Sequence, residues 1–300
     1  MRVLTEEPLA RHGYWRVGGP LERLVLVESP ADLRDLGPVD HVLGNGSNLL
    51  VPDAGLRGTT VKLAGTFREL RVAALPDGSV RLHVGAGLLN AVLLQRLEKL
   101  GLGGLGCLAG VPGTLGGAVA MNAGTALGEV ADVLVAVAGA DGTRLPREAL
   151  RMRYREGGLP PGFFVVEVEL RVTSEGVAAE RARITEHLAR RKATQPLGMP
   201  SCGSVFRNPP GDHAGRLIES AGLKGWRRGG AEISALHANF IVNHGDATAH
   251  DVMVCVRTAW EAVRARAGVE LVPEVHVLGE WPHELWPLPA GARAGSDQAG

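Results

Sequence analysis

The stretch Pro-Ser-Cys-Gly-Ser-Val-Phe-Arg-Asn-Pro-Pro at 200–210 gathers groups that can hand a proton to an anion. Ser204 supplies a hydroxyl directly after Gly203, and Arg207 and Asn208 follow it. Glycine at 203 admits a tight or left-handed turn that can aim the hydroxyl into a cleft. The flanking prolines keep the stretch out of a long helix. Lys192 lies upstream and Arg216 downstream, so the proton source sits among cations. The same residues also make an ordinary glycine- and proline-rich surface loop, and only the rest of the chain separates the two readings.

A second set is the loop Gly44-Asn45-Gly46-Ser47-Asn48, followed by Leu49. Two glycines around an amide can turn successive N–H groups toward one anion, with Ser47 and Asn48 as added donors. It carries no lysine, so it is not a Walker loop, and no third glycine and helix of the dinucleotide turn. A hairpin turn fits the same residues.

A third set, 101–124, is denser still in glycine. Gly101-Leu-Gly-Gly-Leu-Gly106 matches G-x-G-x-x-G, but it follows a helical pattern instead of a strand, and Val111-Pro112 interrupts any helix after it. The dinucleotide fingerprint needs strand, turn and helix in that order. The segment reads better as backbone laid against a flat or phosphorylated ligand. Two further residues attract attention. Arg155 follows Tyr154, a pair that also fits a solvated charge beside a packed ring. Glu274 falls in the apolar run Val272–Leu278, read as a strand, where an unpaired carboxylate is costly.

Many short elements must position these groups. Strands are expected over 21–28, 41–43, 49–51, 60–63, 68–74, 79–84, 133–138, 143–145, 164–172 and 238–243, with hairpin turns at Asp77-Gly78 and Asp141-Gly142. Ser29-Pro30 opens a short helix that Gly37 stops. Leu89, Val92, Leu93, Leu97 and Leu100 recur at helical spacing, and a charged helix runs over 178–192. A short helix at 214–221 stops at Gly222, and Thr248-Ala-His-Asp251 is a capping box for a helix ending at Gly268. From Pro282 the composition predicts a mobile tail.

Composition sets the outer limits. Hydrophobic residues make up 45% of the 300, enough for real cores. The 32 basic and 32 acidic residues cancel, which argues against a nucleic-acid or membrane-surface partner. Cys107, Cys202 and Cys255 are odd in number and widely spaced, which suits a reducing cytoplasm and offers no metal site. His237 and His244 lack metal-ligand partners at useful spacing and read as core or surface histidines. The first residues hold no apolar signal core, and no run reaches membrane-spanning length.

Gly-Asn-Gly-Ser-Asn-Leu-Leu-Val-Pro-Asp-Ala-Gly-Leu-Arg-Gly at 44–58 resembles the flavin-binding loop of the UDP-N-acetylenolpyruvoylglucosamine reductases, and Arg16-Val-Gly-Gly-Pro20 resembles a motif upstream of it. Gly110-Val111-Pro112-Gly113, with Gly116 and Gly117, is similar to their second flavin contact. The motifs 203–209, 215–219, 221–225, 237–239 and 273–274 are similar to their C-terminal domain, in the same order. The match runs from about Arg16 to Trp281. Tyr154-Arg155 matches the family's pair, but Gly157 stands where a serine is usual. The short interval from Arg155 to Ser204 resembles the subclass that lacks a tyrosine-bearing lid loop.

The resemblance implies an α+β, three-domain flavoprotein. Residues 1–63, with 273–281 returning to them, and 64–190 form a vanillyl-alcohol-oxidase-like FAD-binding region, 195–272 form a substrate-binding domain, and 282–300 a tail. It implies NADPH-dependent reduction of a UDP-sugar enolpyruvyl ether through FAD, in peptidoglycan synthesis, by a cytoplasmic monomer. Hydride reaches the terminal carbon by way of the flavin. Arg155 then offsets the developing enolate charge, Glu274 donates a hydrogen bond to it and Ser204 gives the proton. Lys192, Asn208, Arg216 and Tyr154 are assigned to substrate, with Lys192 an equal candidate for the NADPH phosphate. Two other readings are a sugar-alcohol or lactone oxidase of the same flavin fold and a non-catalytic nucleotide-binding module. Such oxidases commonly tether FAD through a histidine in the first loop. This loop offers Asn45, Ser47 and Asn48, so FAD is expected to be held without a covalent link.

Overall fold

Alternation of apolar and charged residues makes Val165–Val172 the middle strand of a five-stranded antiparallel sheet. Its neighbours are Leu134–Gly139, then Arg144–Pro146, on one side and Val80–Gly85, then Leu70–Ala74, on the other. Val168 and Leu170 share one buried core with Leu82 and Val84. Glu169 is also buried, and Arg144 grips it with two bonds of 2.7 and 2.8 Å. That guanidinium holds the Glu169 carboxyl below the usual range. These elements come from a computed structural model that describes residues 1–76 and 79–288, so the turn expected at Asp77-Gly78 lies outside the described residues.

The chain divides into two compact units. The first comprises Met1–Glu7, Leu21–Ser47 and Arg57–Ala193; the second comprises Pro8–Pro20, Asn48–Leu56 and the chain from Thr194 on. Besides the five-stranded sheet, the first unit has a four-stranded one in the order Arg2–Pro8, Pro20–Val27, Leu56–Leu63, His41–Val42, the last pair parallel. Its helices are α1 (Pro30–Arg34), α2 (Asn90–Lys99), α3 (Leu115–Ala120) and α4 (Val177–Thr194). Ser29 and Asp32 close the expected capping box on α1. The stripe on α2 is narrower than its leucines imply. Leu93 and Leu97 are buried, whereas Leu89 and Leu100 are exposed. Helix α3 is absent from the sequence reading, because its glycines argue against a helix. Thr114 caps it, accepting from the Gly117 N–H.

In the second unit α5 (Ala214–Ser220) and α6 (Ala249–Ala267) pack with a three-stranded antiparallel sheet, Arg227–Arg228, Ala231–Ile233 and Ile241–Asn243. Val252, Val256, Ala259, Trp260 and Val263 form the buried stripe of α6, and Gly268 ends it with φ +67°. The strand expected from 238 begins only at Ile241, since Phe240 closes a turn onto the His237 carbonyl at 2.9 Å. Likewise only His276–Val277 of the 272–278 run is strand, paired in parallel with Leu49–Leu50, so Glu274 lies outside it and is half-buried. The mobile tail expected from Pro282 does not describe 282–288. Leu285 and Leu288 are buried in the core of this unit and Trp286 packs on it, because three apolar side chains outweigh the proline-rich composition. Residues 289–300 lie outside the described residues.

Asp53 adds a second cap to α6. Its carboxylate oxygens accept from the N–H groups of Ala249 and His250 at 2.8 and 2.9 Å, beside the Thr248–Asp251 box. A carboxylate on orphan helix N–H groups is worth about 1 kcal/mol, up to ~2. Asp53→Ala should lower stability by that amount, read as a shift in the urea midpoint. A midpoint unmoved within error would rule out the cap.

Candidate functional site

The first glycine loop leaves the strand His41–Val42, and the second precedes α3. They meet within the first unit. The Ser47 hydroxyl donates to the Pro112 carbonyl at 3.3 Å. The approach is close. A Cβ on Gly113 would lie 2.6 Å from Ser47 Oγ, and one on Gly44 would lie 2.8 Å from Thr114 Oγ1. Gly113 also has φ +106°, which excludes most side chains on conformation alone. Two stretches 65 residues apart thus form one backbone surface.

That surface lines a cavity of about 540 Å³. Gly44, Asn45, Thr114, Gly116 and Gly117 form part of its wall, and Leu89, Val92, Phe163 and Phe164 form an apolar part. This explains why Leu89, at the N-cap of α2, is exposed. Lys62, Arg68 and Arg96 complete the lining, which holds no aspartate or glutamate. Burial, and then the Arg68 charge, pull the Lys62 ammonium below its ordinary value. An anion in the cavity would offset the Arg68 repulsion and favour the charged ammonium. Apolar walls beside three cations, with backbone packed too closely for side chains, suit a ligand with flat rings and phosphates.

The second loop is held in shape by residues that the sequence reading passed over. Asn90 N–H donates to the Gly113 carbonyl at 3.0 Å and its side chain to Val111 at 3.3 Å. From α4, Arg191 donates to the Gly110 carbonyl. Glu180, also on α4, accepts from Gly104 N–H at 2.6 Å and Gly106 N–H at 2.7 Å. Gly101 and Gly103 donate to the Glu98 and Thr173 carbonyls at 3.2 and 2.8 Å, so with Gly104 and Gly106 on Glu180 these amides are already engaged within the chain and do not serve a phosphate.

Tyr154 and Arg155 lie in a tight turn of the first unit, where Arg153 and Glu156 exchange two backbone bonds of 2.9 Å. Arg155 has φ +59°, costly for a residue with a Cβ, and its guanidinium carbon stands 4.9 Å from the Tyr154 ring centre. The turn hangs from the end of α3. Gly157 N–H donates to the Ala120 carbonyl at 2.9 Å, and a Cβ on Gly157 would run into the Val119 carbonyl and sit 2.6 Å from that of Ala120. A serine cannot be accommodated here without moving the turn, which accounts for the glycine at this position. Lys192 is exposed near the end of α4.

Ser204 and Glu274 belong to the second unit and lie on neighbouring segments. Residues 204–207 run between 239–240 and 272–275, with antiparallel bridges Ser204↔Phe240 and Phe206↔Pro273. Glu274 N–H donates to the Val205 carbonyl at 2.8 Å, and Asn48 Nδ2 donates to the Glu274 carbonyl at 2.9 Å. Asn48 thus spends its side chain on the backbone of Glu274. Gly203 has φ +76° with open space around its Cα, so the chain turns between Cys202 in the core and the half-buried Ser204.

Asn208 and Arg216 are partly engaged. Asn208 Oδ1 accepts from Ala214 N–H at 3.1 Å, capping α5. Arg216 forms a fork with Asp212, with one bond at 2.7 Å. Arg216 holds the Asp212 carboxyl down at about 2, so the pair stays ionised at any ordinary pH. His244 donates to Glu232 at 2.8 Å, and His237 packs edge-on against Phe240. Among the described residues no His, Cys, Asp and Glu are grouped to hold a metal, and no helix is long and apolar enough to cross a membrane.

Residues 195–278 match the family model of the UDP-N-acetylenolpyruvoylglucosamine reductase C-terminal domain, and 39–143 match that of an FAD binding domain. The UDP-N-acetylenolpyruvoylglucosamine reductase of Moorella thermoacetica is 46% identical over 93% of this chain and 94% of its own. The chain belongs to the UDP-N-acetylenolpyruvoylglucosamine reductase family. Another member, from Anaeromyxobacter dehalogenans, is 46% identical over 93% of this chain and 86% of its own. The crystal structure of the reductase from Thermus caldophilus superposes with a TM-score of 0.82 at 40% identity, covering 94% of this chain and all of that one. The reductase family combines an FAD-binding region with its own C-terminal domain, as this chain does, so the oxidase and non-catalytic readings are not favoured.

Proposed function

We propose that the protein reduces UDP-N-acetylglucosamine enolpyruvate to UDP-N-acetylmuramate with NADPH, through non-covalently held FAD, in the cytoplasmic stage of peptidoglycan synthesis. The observation that supports the reading is the ladder that bonds Val205, the neighbour of Ser204, to the Glu274 backbone, in a chain of this family. FAD, when bound, relays a hydride from NADPH to the enolpyruvyl double bond. The residues fit that cofactor: the paired loops 44–48 and 110–113 leave room only for backbone, and the cavity beside them joins apolar walls to Lys62, Arg68 and Arg96.

The chain's own residues do the rest. Arg155 places positive charge against the charge that develops at the carboxylated end. Glu274, protonated or sharing a proton, donates a hydrogen bond to the enolate, and Ser204 gives its proton to carbon. Tyr154, Lys192, Asn208 and Arg216 hold the substrate's carboxylate and diphosphate. Arg216 does so while shared with Asp212, and Asn208 through its amide NH2, since its oxygen caps α5. Val111, Pro112, Gly116 and Gly117 complete the flavin cradle begun by Gly44 to Ser47 in the first unit, and Asn48 and Leu49 are assigned to the flavin as well.

Purified protein should be yellow, and acid precipitation should release the flavin into the supernatant. Flavin retained on the pellet would contradict non-covalent binding. Colourless protein that takes up no added FAD would contradict the whole reading.

A further inference from the structure

Asn239 is buried, and both ends of its amide serve a single residue on another segment. Oδ1 accepts from the Phe206 N–H at 3.0 Å, and Nδ2 donates to the Phe206 carbonyl at 2.8 Å. Its own carbonyl accepts from Val205 N–H at 2.9 Å. These bonds have a definite place in the ladder. At Val205 the strip 204–207 changes partners: its N–H faces residue 239, while its carbonyl accepts from Glu274 N–H at 2.8 Å. Arg207 N–H then goes to the Val272 carbonyl at 2.9 Å. Phe206 N–H and its carbonyl both go to the Asn239 amide, which supplies what a strand neighbour would.

We propose that Asn239 is a positioning residue for the proton donor Ser204, an inference that rests on the reading of Ser204 given above. Ser204 and Asn208 stand two residues on either side of Phe206, so whatever fixes the Phe206 peptide fixes both. The Phe206 ring is buried in the core of the second unit, which pins one side of the strip, and the Asn239 amide pins its backbone. The turn that carries Asn239 is fixed in its own right. Its N–H donates to His237 Nδ1 at 3.3 Å, and Ser234 N–H donates to the Phe240 carbonyl at 2.8 Å. Burial lowers His237 below its ordinary value, which favours the neutral ring that can accept this bond. The amide's chemistry is specific. Only a group with a donor and an acceptor on adjacent atoms satisfies both Phe206 positions.

The test is a double-mutant cycle read by half-reaction. Asn239→Ala, Ser204→Ala and the double variant are loaded with FAD, reduced with NADPH, and mixed with UDP-N-acetylglucosamine enolpyruvate in a stopped-flow. Asn239→Ala should be reduced at close to the parent rate and be reoxidised about 10- to 100-fold more slowly, the scale of a small misplacement of a reacting group. In the Ser204→Ala background the same change should add little, because the donor it positions is gone. Should Asn239→Ala not accumulate as folded flavoprotein, Asn239→Asp takes its place in the cycle. Its protonated carboxyl carries both donor and acceptor, so its deficit against the parent should shrink as pH falls. Reoxidation at the parent rate by Asn239→Ala, or by Asn239→Asp at a pH where its carboxyl is ionised, overturns the proposal, as does a deficit of equal size with and without Ser204. If Ser204→Ala alone reoxidises normally, the reading of Ser204 has failed instead, and the positioning role falls with it.

Discussion

Replacing Ser204 with alanine should leave a yellow enzyme that NADPH reduces at close to the parent rate and that enolpyruvyl substrate reoxidises about a hundred- to ten-thousandfold more slowly. That range is what a general acid contributes. The separation of the half-reactions is the informative part, since a damaged flavin site would slow both. Ser204 follows a glycine at φ +76°, and its neighbour Val205 accepts from the Glu274 N–H at 2.8 Å within the second unit. Ser204→Cys should recover part of the loss, because a thiol also delivers a proton. Cys202 does not confuse this test. It is buried in the core, burial pushes its thiol up to about 12, and Sγ points to the Leu49 carbonyl at 3.9 Å. Reoxidation of Ser204→Ala at the parent rate, with normal configuration at the new centre, would pass the role to Glu274.

The second large effect is expected at Arg155. Removing one preorganised group that meets developing negative charge costs about a hundred- to a thousandfold. Arg155→Ala should take that loss in the oxidative half-reaction and spare reduction by NADPH. The backbone supports the assignment. A left-handed arginine is a strained choice, and such residues persist where the surroundings require them. Arg155→Lys keeps the charge without the planar fork and should fall between the two. Equal losses in both half-reactions would mean that Arg155 meets NADPH or supports the fold.

Much of this was legible in the residues. The capping box at Thr248, the stripe on α6, the alternation of Val165–Val172 and both glycine loops are local patterns, and local patterns survive without knowledge of the fold. The supports of the site are different. Glu180 reaches backbone 76 residues away, Asn90 reaches 21 and Asn239 reaches 33. Each is a polar side chain satisfying a distant peptide, and nothing near it in sequence marks the partner. Lys62, Arg68 and Arg96 were hidden for a related reason, since three surface-like cations become a site only when the first unit folds around one cavity. Helix α3 was missed because Gly116 and Gly117 read as helix breakers. A Cβ on Gly116 would lie 3.0 Å from Ala86 Cβ, so packing sets that glycine and the Thr114 cap offsets its cost.

The second unit is assembled from three separated lengths of chain, and that has a consequence for how the protein is made. Trp15 is buried in its core, donating from the indole to the Ile241 carbonyl at 2.6 Å and accepting from Asn243 Nδ2 at 2.8 Å. Leu50 lies in the same core and Asp53 caps α6. These residues leave the ribosome well before the stretch from Thr194 on, which holds their partners. Trp15 and Leu50 must therefore remain without their native cover for most of translation, while the long continuous stretch of the first unit, 57–193, can already be folding. Exposed apolar surface of that kind invites chaperone binding, and it falls on residues more than a hundred positions ahead of the domain they will complete.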